Sequence, residues 1–220
     1  RCAIGTEETT GCGTRGVYYD DVENGRMASL NRKSQGPDSL FNCIERGWKF
    51  YSERPWLGGL FYWTGFDYRG EPNPLVYPAT GSEFGILDYC GFPKDEAWYL
   101  RSQWTDDIVL HILPHWNLKG HEGERVPVWV YTNCDEVELK GNGRSLGRKT
   151  CPKYGHLEWD AVYKGGRVEA IGWKDGVRVA RERTETTGEA VSASASMECC
   201  ADITIVNVDL RDAKGRFVPD

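Results

Sequence analysis

Long apolar runs and an excess of basic residues are both missing from this 220-residue chain. No stretch reaches the roughly eighteen consecutive apolar residues that a membrane-spanning helix requires. Lys and Arg total 27 against 33 Asp and Glu, which gives a formal net charge of -6. Nucleic acids and anionic membranes bind basic surfaces, so the composition predicts neither a nucleic-acid partner nor a membrane partner.

Motifs for metals and cofactors are missing too. His121 and Glu122 are not followed by the second His of an H-E-x-x-H zinc site. Segment 141–147 has one residue too many for a G-x-G-x-x-G dinucleotide loop, and its Asn-Gly pair predicts a hairpin turn instead. We therefore expect no cofactor.

The eight cysteines show no C-x-x-C spacing, so we expect most of them to be free, buried thiols. The vicinal pair Cys199 and Cys200 leaves a redox or metal role open.

Aromatic residues, in contrast, are abundant, with nine Trp and eleven Tyr. A flat aromatic ring covers the apolar C–H face of a pyranose, and an acidic chain suits a neutral ligand better than an anionic one. The composition therefore favours a carbohydrate as the partner.

One segment changes from apolar to polar halfway along its length. Residues 60–63 predict a buried strand of a parallel sheet, covered on both faces. Asp67, Arg69 and Glu71 follow among Gly and Pro, as at the C-terminal end of a barrel strand, where catalytic groups lie. Trp63 beside these charges predicts a sugar site; the alternative is a core Trp followed by a loop that ion pairs hold.

The start of the chain predicts a second such strand end. Residues 1–7 read as a strand whose apolar side chains give way to Gly5-Thr6-Glu7. Glu7 at the C-terminal end of a barrel strand is a candidate nucleophile, with Glu8 as the alternative. A structural or solvated pair of carboxylates is the competing interpretation.

Two amphipathic helices are predicted. Residues 38–54 carry apolar side chains every three or four positions, between two prolines. This helix and the strands that flank it form one strand-helix-strand unit with neighbouring parallel strands. A second helix begins at about Pro93, and Lys94 at its start reaches either a substrate hydroxyl or solvent.

From residue 106 the apolar period changes to two, which predicts an antiparallel β-sandwich. The predicted strands lie at 108–113, 126–131, 137–139, 157–162, 168–173, 177–180 and 191–196. Residues 203–218 predict the opening hairpin of a second sandwich.

We expect an internal piece of a longer protein, because Arg1 leads directly into an apolar segment. The predicted fold class is therefore multidomain. Residues 1–105 form the last two strand-helix units of a (β/α)8 TIM barrel, residues 106–200 form an all-β sandwich, and residues 201–220 begin a second sandwich.

Several motifs in the same order resemble glycoside hydrolase family 2, in particular its bacterial β-galactosidases that carry immunoglobulin-like domains after the barrel. The motifs are Gly5-Thr6-Glu7, residues 14–18, 61–72, 84–88, 91–95 and 111–117, and Val137-Glu138-Leu139 with residues 143–147. The resemblance covers nearly the whole chain.

The resemblance implies a retaining exo-β-galactosidase that acts on a β-galactoside substrate. Glu7 falls on the family's nucleophile position, and Trp63 falls on the aromatic residue that lines the terminal-sugar pocket. Asp67, Glu71 and Lys94 are candidate substrate-binding residues. An immunoglobulin-like sandwich, a periplasmic or secreted location and a homo-oligomer formed through the full-length protein agree with the resemblance. His115 and Trp116 are expected to pack the barrel against the sandwich.

The family's general acid/base Glu follows the fourth barrel strand, which the resemblance places before Arg1. Because retaining hydrolysis needs two carboxyl groups, we expect this chain alone to be inactive. The alternatives are a carbohydrate-binding sandwich module with a scaffold remnant, or a family 2 β-glucuronidase or β-mannosidase.

Overall fold

The computed structural model describes residues 3–9, 11, 13–33 and 43–219. Its helices are α1 (Leu30–Lys33), α2 (Ile44–Ser52) and α3 (Asp95–Trp104). Its strands are β1 (Ala3–Glu8), β2 (Leu57–Tyr62), β3 (Tyr68–Arg69), β4 (Gly81–Ser82), β5 (Leu110–Leu113), β6 (Arg125–Thr132), β7 (Glu136–Gly141), β8 (Arg144–Thr150), β9 (Leu157–Val162), β10 (Arg167–Lys174), β11 (Val177–Glu185), β12 (Ala190–Cys200) and β13 (Ile203–Asp212). None of the helices in these residues has the length and apolar character needed to cross a bilayer.

The first two long strands form the predicted strand-helix-strand unit. β1 and β2 are parallel neighbours, and α2 lies between them along the chain. The predicted helix over 38–54 begins at Ile44 in the structure, and residues 34–42 lie outside the described residues. Ile44 is buried and Trp48 packs against the same cluster, as the apolar spacing predicts.

One face of the β1–β2 pair is covered and the other is open. Tyr62 packs against the buried cluster that includes Ile44 and Leu100 of the helices. Phe61, which alternates to the opposite face, is 66% exposed. The prediction of a strand covered on both faces is therefore wrong, because within the described residues this sheet has two strands and helices on one side. These elements are too few to show a TIM barrel.

The C-terminal half forms the predicted β-sandwich. One sheet has the strand order β5-β6-β9 and the other β11-β10-β7-β8, with antiparallel pairing throughout. In β9, Leu157, Trp159 and Ala161 are buried while the residues between them are exposed. Burying each large apolar side chain contributes about 1.5–3 kcal/mol. This alternation is the physical basis of the core.

The sequence missed β8, although it predicted the turn before it. Asn142 and Gly143 make that turn with φ of 48° and 82°, which suits Asn-Gly. All seven residues of β8 are exposed. A strand without a buried face has no apolar alternation, so the pattern gave no signal for it.

The strand β12 pairs with β13 and not with either sandwich sheet. The sequence places residues 191–196 in the first sandwich, but in the structure they belong to β12, which forms a hairpin with β13. The predicted domain boundary at residue 200 falls at the turn of this hairpin. One hairpin face carries apolar side chains, including Val191, Met197 and Leu210, which are exposed.

A second core joins the helices to the sandwich. Its buried members are Ile44, Tyr99, Leu100, Leu113, Trp129 and Tyr131. The Nε2 atom of His115 lies 2.9 Å from the carbonyl oxygen of Gly16, so His115 contacts the loop after β1 as expected. Trp116 lies instead inside the sandwich core, where its indole N–H donates to the carbonyl of Lys164.

All six described cysteines are free. Cys43 and Cys134 are buried, but Cys90, Cys199 and Cys200 are exposed, so the expectation of buried thiols is wrong for these three. Cys199 and Cys200 are consecutive residues of β12, and their side chains point to opposite faces of the hairpin. The pair is therefore poorly placed to hold one metal ion.

Candidate active site

The C-terminal ends of β1 and β2 bring the predicted nucleophile segment and the predicted sugar platform together. Parallel strands end at the same edge of a sheet, and β1 ends at Glu8 while β2 ends one residue before Trp63. The backbone N–H of Trp63 donates to the carbonyl oxygen of Glu8 at 3.1 Å. The two segments are therefore direct neighbours.

The carboxylate of Glu8 is hydrogen-bonded to a side chain of helix α2. The Tyr51 hydroxyl donates a hydrogen bond of 2.7 Å to Oε1 of Glu8. Burial, together with this carboxylate, raises the pKa of Tyr51 to about 12. The carboxylate of Glu8 thus lies on the helix side of the sheet.

Glu7 lies in an irregular part of β1. Gly5 pairs with Leu60 and Glu8 pairs with Tyr62, so two β1 residues, Thr6 and Glu7, lie opposite Phe61 alone. Such a bulge changes the direction of a side chain and is common next to active sites. Glu7 is exposed, and its carboxylate has no hydrogen-bond partner among the described residues. The two candidate carboxylates therefore differ, because Glu7 is exposed while Glu8 is hydrogen-bonded to Tyr51.

Trp63 packs against Tyr68 and remains partly exposed. The residue is 37% exposed, and its ring makes a T-shaped contact with the Tyr68 ring, with centroids 5.9 Å apart and planes at 78°. The Tyr68 hydroxyl donates to Oε2 of Glu71 at 3.2 Å, and Glu71 is exposed. An aromatic face and a carboxylate therefore lie close together at the end of β2. The peptide bond between Trp63 and Thr64 is cis.

Asp67 and Lys94 bind each other. Their side chains are each 2% exposed, and Nζ of Lys94 lies 2.7 Å from Oδ1 of Asp67. The backbone N–H of Gly85 donates to the same carboxylate, and Lys94 also donates to the carbonyl of Glu83. Burial raises the pKa of Asp67, and the Lys94 ammonium opposes this rise.

This ion pair fixes the loop between β2 and α3. The sequence interpretation of Lys94 as a solvent-exposed side chain is wrong, because the ammonium is needed inside the loop as the counter-charge of a buried carboxylate. The pair corresponds to the alternative in which charges hold the loop. Sugar binding by Asp67 and Lys94 stays a prediction.

Arg69 also holds the loop. Its Nη1 donates to Oγ1 of Thr80 at 2.9 Å, and its guanidinium lies 4.7 Å from the ring centroid of Tyr89. Glu71 is left as the charged side chain of this segment that is both exposed and next to the Trp63–Tyr68 pair.

Sequence reasoning missed Tyr51 and Tyr68 as parts of the site. Tyr51 follows the apolar spacing of α2, so the pattern indicated only packing. Tyr68 lies between two charged positions in a loop, where its ring contact with Trp63 has no sequence signal. Within residues 3–9, 11, 13–33 and 43–219 no group of three or more His, Cys, Asp and Glu side chains is arranged to hold a metal ion.

Comparison with known proteins identifies relatives along nearly the whole chain. A β-galactosidase of Bacteroides ovatus, BoGH2A, is 37% identical over 98% of this chain and 28% of its own length. A putative β-glucuronidase of Formosa agariphila is 36% identical over 86% of this chain and 20% of its own length. The family model described as "Domain of unknown function (DUF4982)" matches residues 123–180, within the sandwich.

Solved structures agree. A β-glycosidase from Bacteroides vulgatus matches with a TM-score of 0.81 and 31% identity, over 97% of this chain and 32% of that one. A glycosyl hydrolase family 2 member from Bacteroides cellulosilyticus matches with a TM-score of 0.70 and 28% identity, over 79% of this chain and 28% of that one. The chain thus spans less than a third of the length of these relatives. With motifs, relatives and fold in agreement, the chain belongs to glycoside hydrolase family 2.

Proposed function

We propose that the full-length protein is a retaining exo-β-galactosidase with Glu7 as its nucleophile. The observation that carries the proposal is the arrangement at the ends of β1 and β2. Glu7 is exposed and has no hydrogen-bond partner within the described part of the chain, while its neighbour Glu8 accepts from the N–H of Trp63 and from the hydroxyl of Tyr51. A free carboxylate next to an aromatic platform suits attack on the anomeric carbon of a bound pyranose.

In the first step the Glu7 carboxylate forms a bond to the anomeric carbon, and the bond from that carbon to the leaving group breaks. A protonated carboxylic acid gives its proton to the leaving oxygen. In the second step the same acid, now ionised, takes a proton from water, and the water oxygen displaces Glu7. We propose that this second carboxyl group comes from outside these 220 residues, so that the chain alone does not turn over substrate.

Trp63 is proposed to cover the apolar face of the terminal sugar, and Glu71 to accept hydrogen bonds from its hydroxyls. The Tyr68 hydroxyl supports this role, because it holds Glu71 next to the indole. Asp67 and Lys94, the other predicted substrate-binding residues, are proposed to contribute to sugar binding through the loop, because their buried ion pair keeps Trp63 and Glu71 in place.

The charges of the loop favour a neutral galactoside over a glucuronide, although the named relatives include both a β-galactosidase and a putative β-glucuronidase. A glucuronide carries a carboxylate that requires a cation. Between Trp63 and Lys94 the sequence has two cationic side chains, Arg69 and Lys94. Lys94 neutralises Asp67, and Arg69 contacts Thr80 and Tyr89. Neither is left to bind a uronic acid.

The test is covalent trapping in the full-length protein with 2-deoxy-2-fluoro-β-D-galactosyl fluoride. Fluorine at C2 slows both steps, and the fluoride leaving group restores the first, so a glycosyl ester accumulates on the nucleophile. We expect one added glycosyl group on the peptide that contains Glu7, and none in Glu7→Gln. Label on another residue would contradict the nucleophile assignment. Faster labelling by the corresponding glucuronyl fluoride would contradict the galactoside assignment.

A further inference from the structure

The hydrogen bond between Tyr51 and Glu8 has no role in the mechanism above, yet it ends next to the proposed nucleophile. We propose that Tyr51 is a positioning residue for Glu7, which acts by fixing Glu8 at the end of β1. This inference rests on the proposed function. The hydroxyl of Tyr51 binds Glu8, so Tyr51 acts through the neighbour of Glu7 and is not a catalytic residue.

Glu8 is held at two separate points. Its carbonyl oxygen accepts from the N–H of Trp63 at 3.1 Å, and its carboxylate accepts from the Tyr51 hydroxyl at 2.7 Å. The first contact fixes the strand end relative to β2, and the second fixes it relative to α2. Two contacts in different directions restrict rotation of the Glu8 backbone, and therefore of the peptide that joins it to Glu7.

This restriction matters because Glu7 lies in the bulge. Thr6 and Glu7 together lie opposite Phe61, so regular strand pairing does not fix the direction of Glu7. Glu8 is the next residue whose pairing is regular, through Tyr62. The orientation of the nucleophile therefore depends on how firmly Glu8 is held.

Gly5 provides the space for the contact. A Cβ atom at Gly5 would lie 2.2 Å from the Tyr51 hydroxyl oxygen and 2.6 Å from Cγ of Glu8. No side chain fits there unless Tyr51 or Glu8 moves. The glycine thus leaves room for both partners, which explains why this strand position has no side chain.

The helix that carries Tyr51 is itself anchored. The N–H of Ile44 donates to Oδ1 of Asn31, and Oε2 of Glu45 lies 2.7 Å from Nδ1 of His156 in the sandwich. Burial raises the pKa of Tyr51 to about 12, so its hydroxyl remains a hydrogen-bond donor at neutral pH. A rigid helix and a permanent donor are what a positioning contact requires.

The test uses Tyr51→Phe in the full-length protein, with Tyr163→Phe as the matched control. The control variant also removes a single hydroxyl: that of Tyr163 is buried in the sandwich core, where it accepts from the N–H of Leu118. We expect Tyr51→Phe to lower the rate constant for labelling by the fluorosugar by about 10- to 100-fold, with little change in the reagent concentration that gives half-maximal rate. Tyr163→Phe should label at the wild-type rate even if its Tm falls.

Two further variants keep the test informative if Tyr51→Phe folds poorly. Gly5→Ala should slow labelling by displacing Tyr51. Glu8→Gln retains an oxygen that accepts the hydroxyl, so it should lose less activity than Glu8→Ala. Wild-type labelling on Glu7 combined with an unchanged rate in Tyr51→Phe would overturn the inference and leave the proposed function intact. Absence of wild-type labelling would overturn the proposed function itself, and label on Glu8 would overturn the inference because Tyr51 would then touch the nucleophile.

Discussion

Removal of the Lys94 ammonium should destabilise the protein strongly, because it leaves a buried carboxylate without its counter-charge. At the observed separation of 2.7 Å between Lys94 and Asp67, the Coulomb attraction is about 6 kcal/mol at an effective dielectric constant of about 20. Desolvation of both groups offsets most of this gain, so the pair adds little net stability. Breaking it in Lys94→Met should nevertheless cost about 3–5 kcal/mol.

The pKa of Asp67 predicts how the stability cost of Lys94→Met changes with pH. Burial already raises the pKa of Asp67 above its ordinary value, and loss of Lys94 should raise it further. A carboxyl group with a raised native pKa contributes stability below its unfolded pKa, and this contribution is lost as the pH rises through the folded pKa. The deficit of Lys94→Met should therefore be smaller at pH 5 than at pH 8.

Urea unfolding followed by tryptophan fluorescence measures the effect, with the exposed Lys119→Met as the control. The control should stay within about 0.5 kcal/mol of the wild type. The double variant Lys94→Met with Asp67→Asn should recover most of the loss, because no unpaired charge remains buried. A cost below about 1 kcal/mol for Lys94→Met, equal at both pH values, would refute the reasoning.

Three other outcomes are expected. Glu7→Gln in the full-length protein should abolish turnover and leave the urea midpoint unchanged; near wild-type turnover would contradict its role. Trp63→Ala should raise KM for a β-galactoside by roughly 2- to 12-fold, since an aromatic contact contributes about 0.5–1.5 kcal/mol, whereas Trp104→Ala, also half-exposed, should not. Burial lowers the pKa of His111, but Asp95 at 2.7 Å and Glu182 at 3.6 Å together outweigh it and raise that pKa to about 9. The stabilising contribution of His111 should be complete below about pH 6.5 and lost as the pH rises through about 9. A urea midpoint that falls with pH over this range as much in His111→Gln as in the wild type would count against this.

The secondary structure near the site followed from local patterns. The apolar period of α2 and the apolar runs that became β1 and β2 were sufficient to predict a parallel pair, and hence that residues near Glu7 and Trp63 would meet at one edge. The strands of the sandwich were predicted in the same way, except β8. All residues of β8 are exposed and do not alternate between apolar and polar, so the sequence pattern does not predict this strand.

The choice between Glu7 and Glu8 was not available from local patterns. The two carboxylates are adjacent in sequence. The family resemblance selects Glu7, and the physical difference between them comes from the hydroxyl of Tyr51, which binds Glu8 from 43 positions away. Asp67 and Lys94 are 27 positions apart, and their pairing decides that both are buried and hold the loop. The sequence indicated charges near a sugar platform without showing which of them were paired.

By itself, the sequence determined the family, through contiguous motifs, and the order of most of the longer helices and strands, through their apolar periodicity; it also predicted where the candidate site lies. The tertiary structure decided which carboxylate is free, which charges neutralise each other and which strand β12 joins. Those outcomes depend on contacts between residues far apart in the chain, where burial and geometry select one partner among several that the sequence allows.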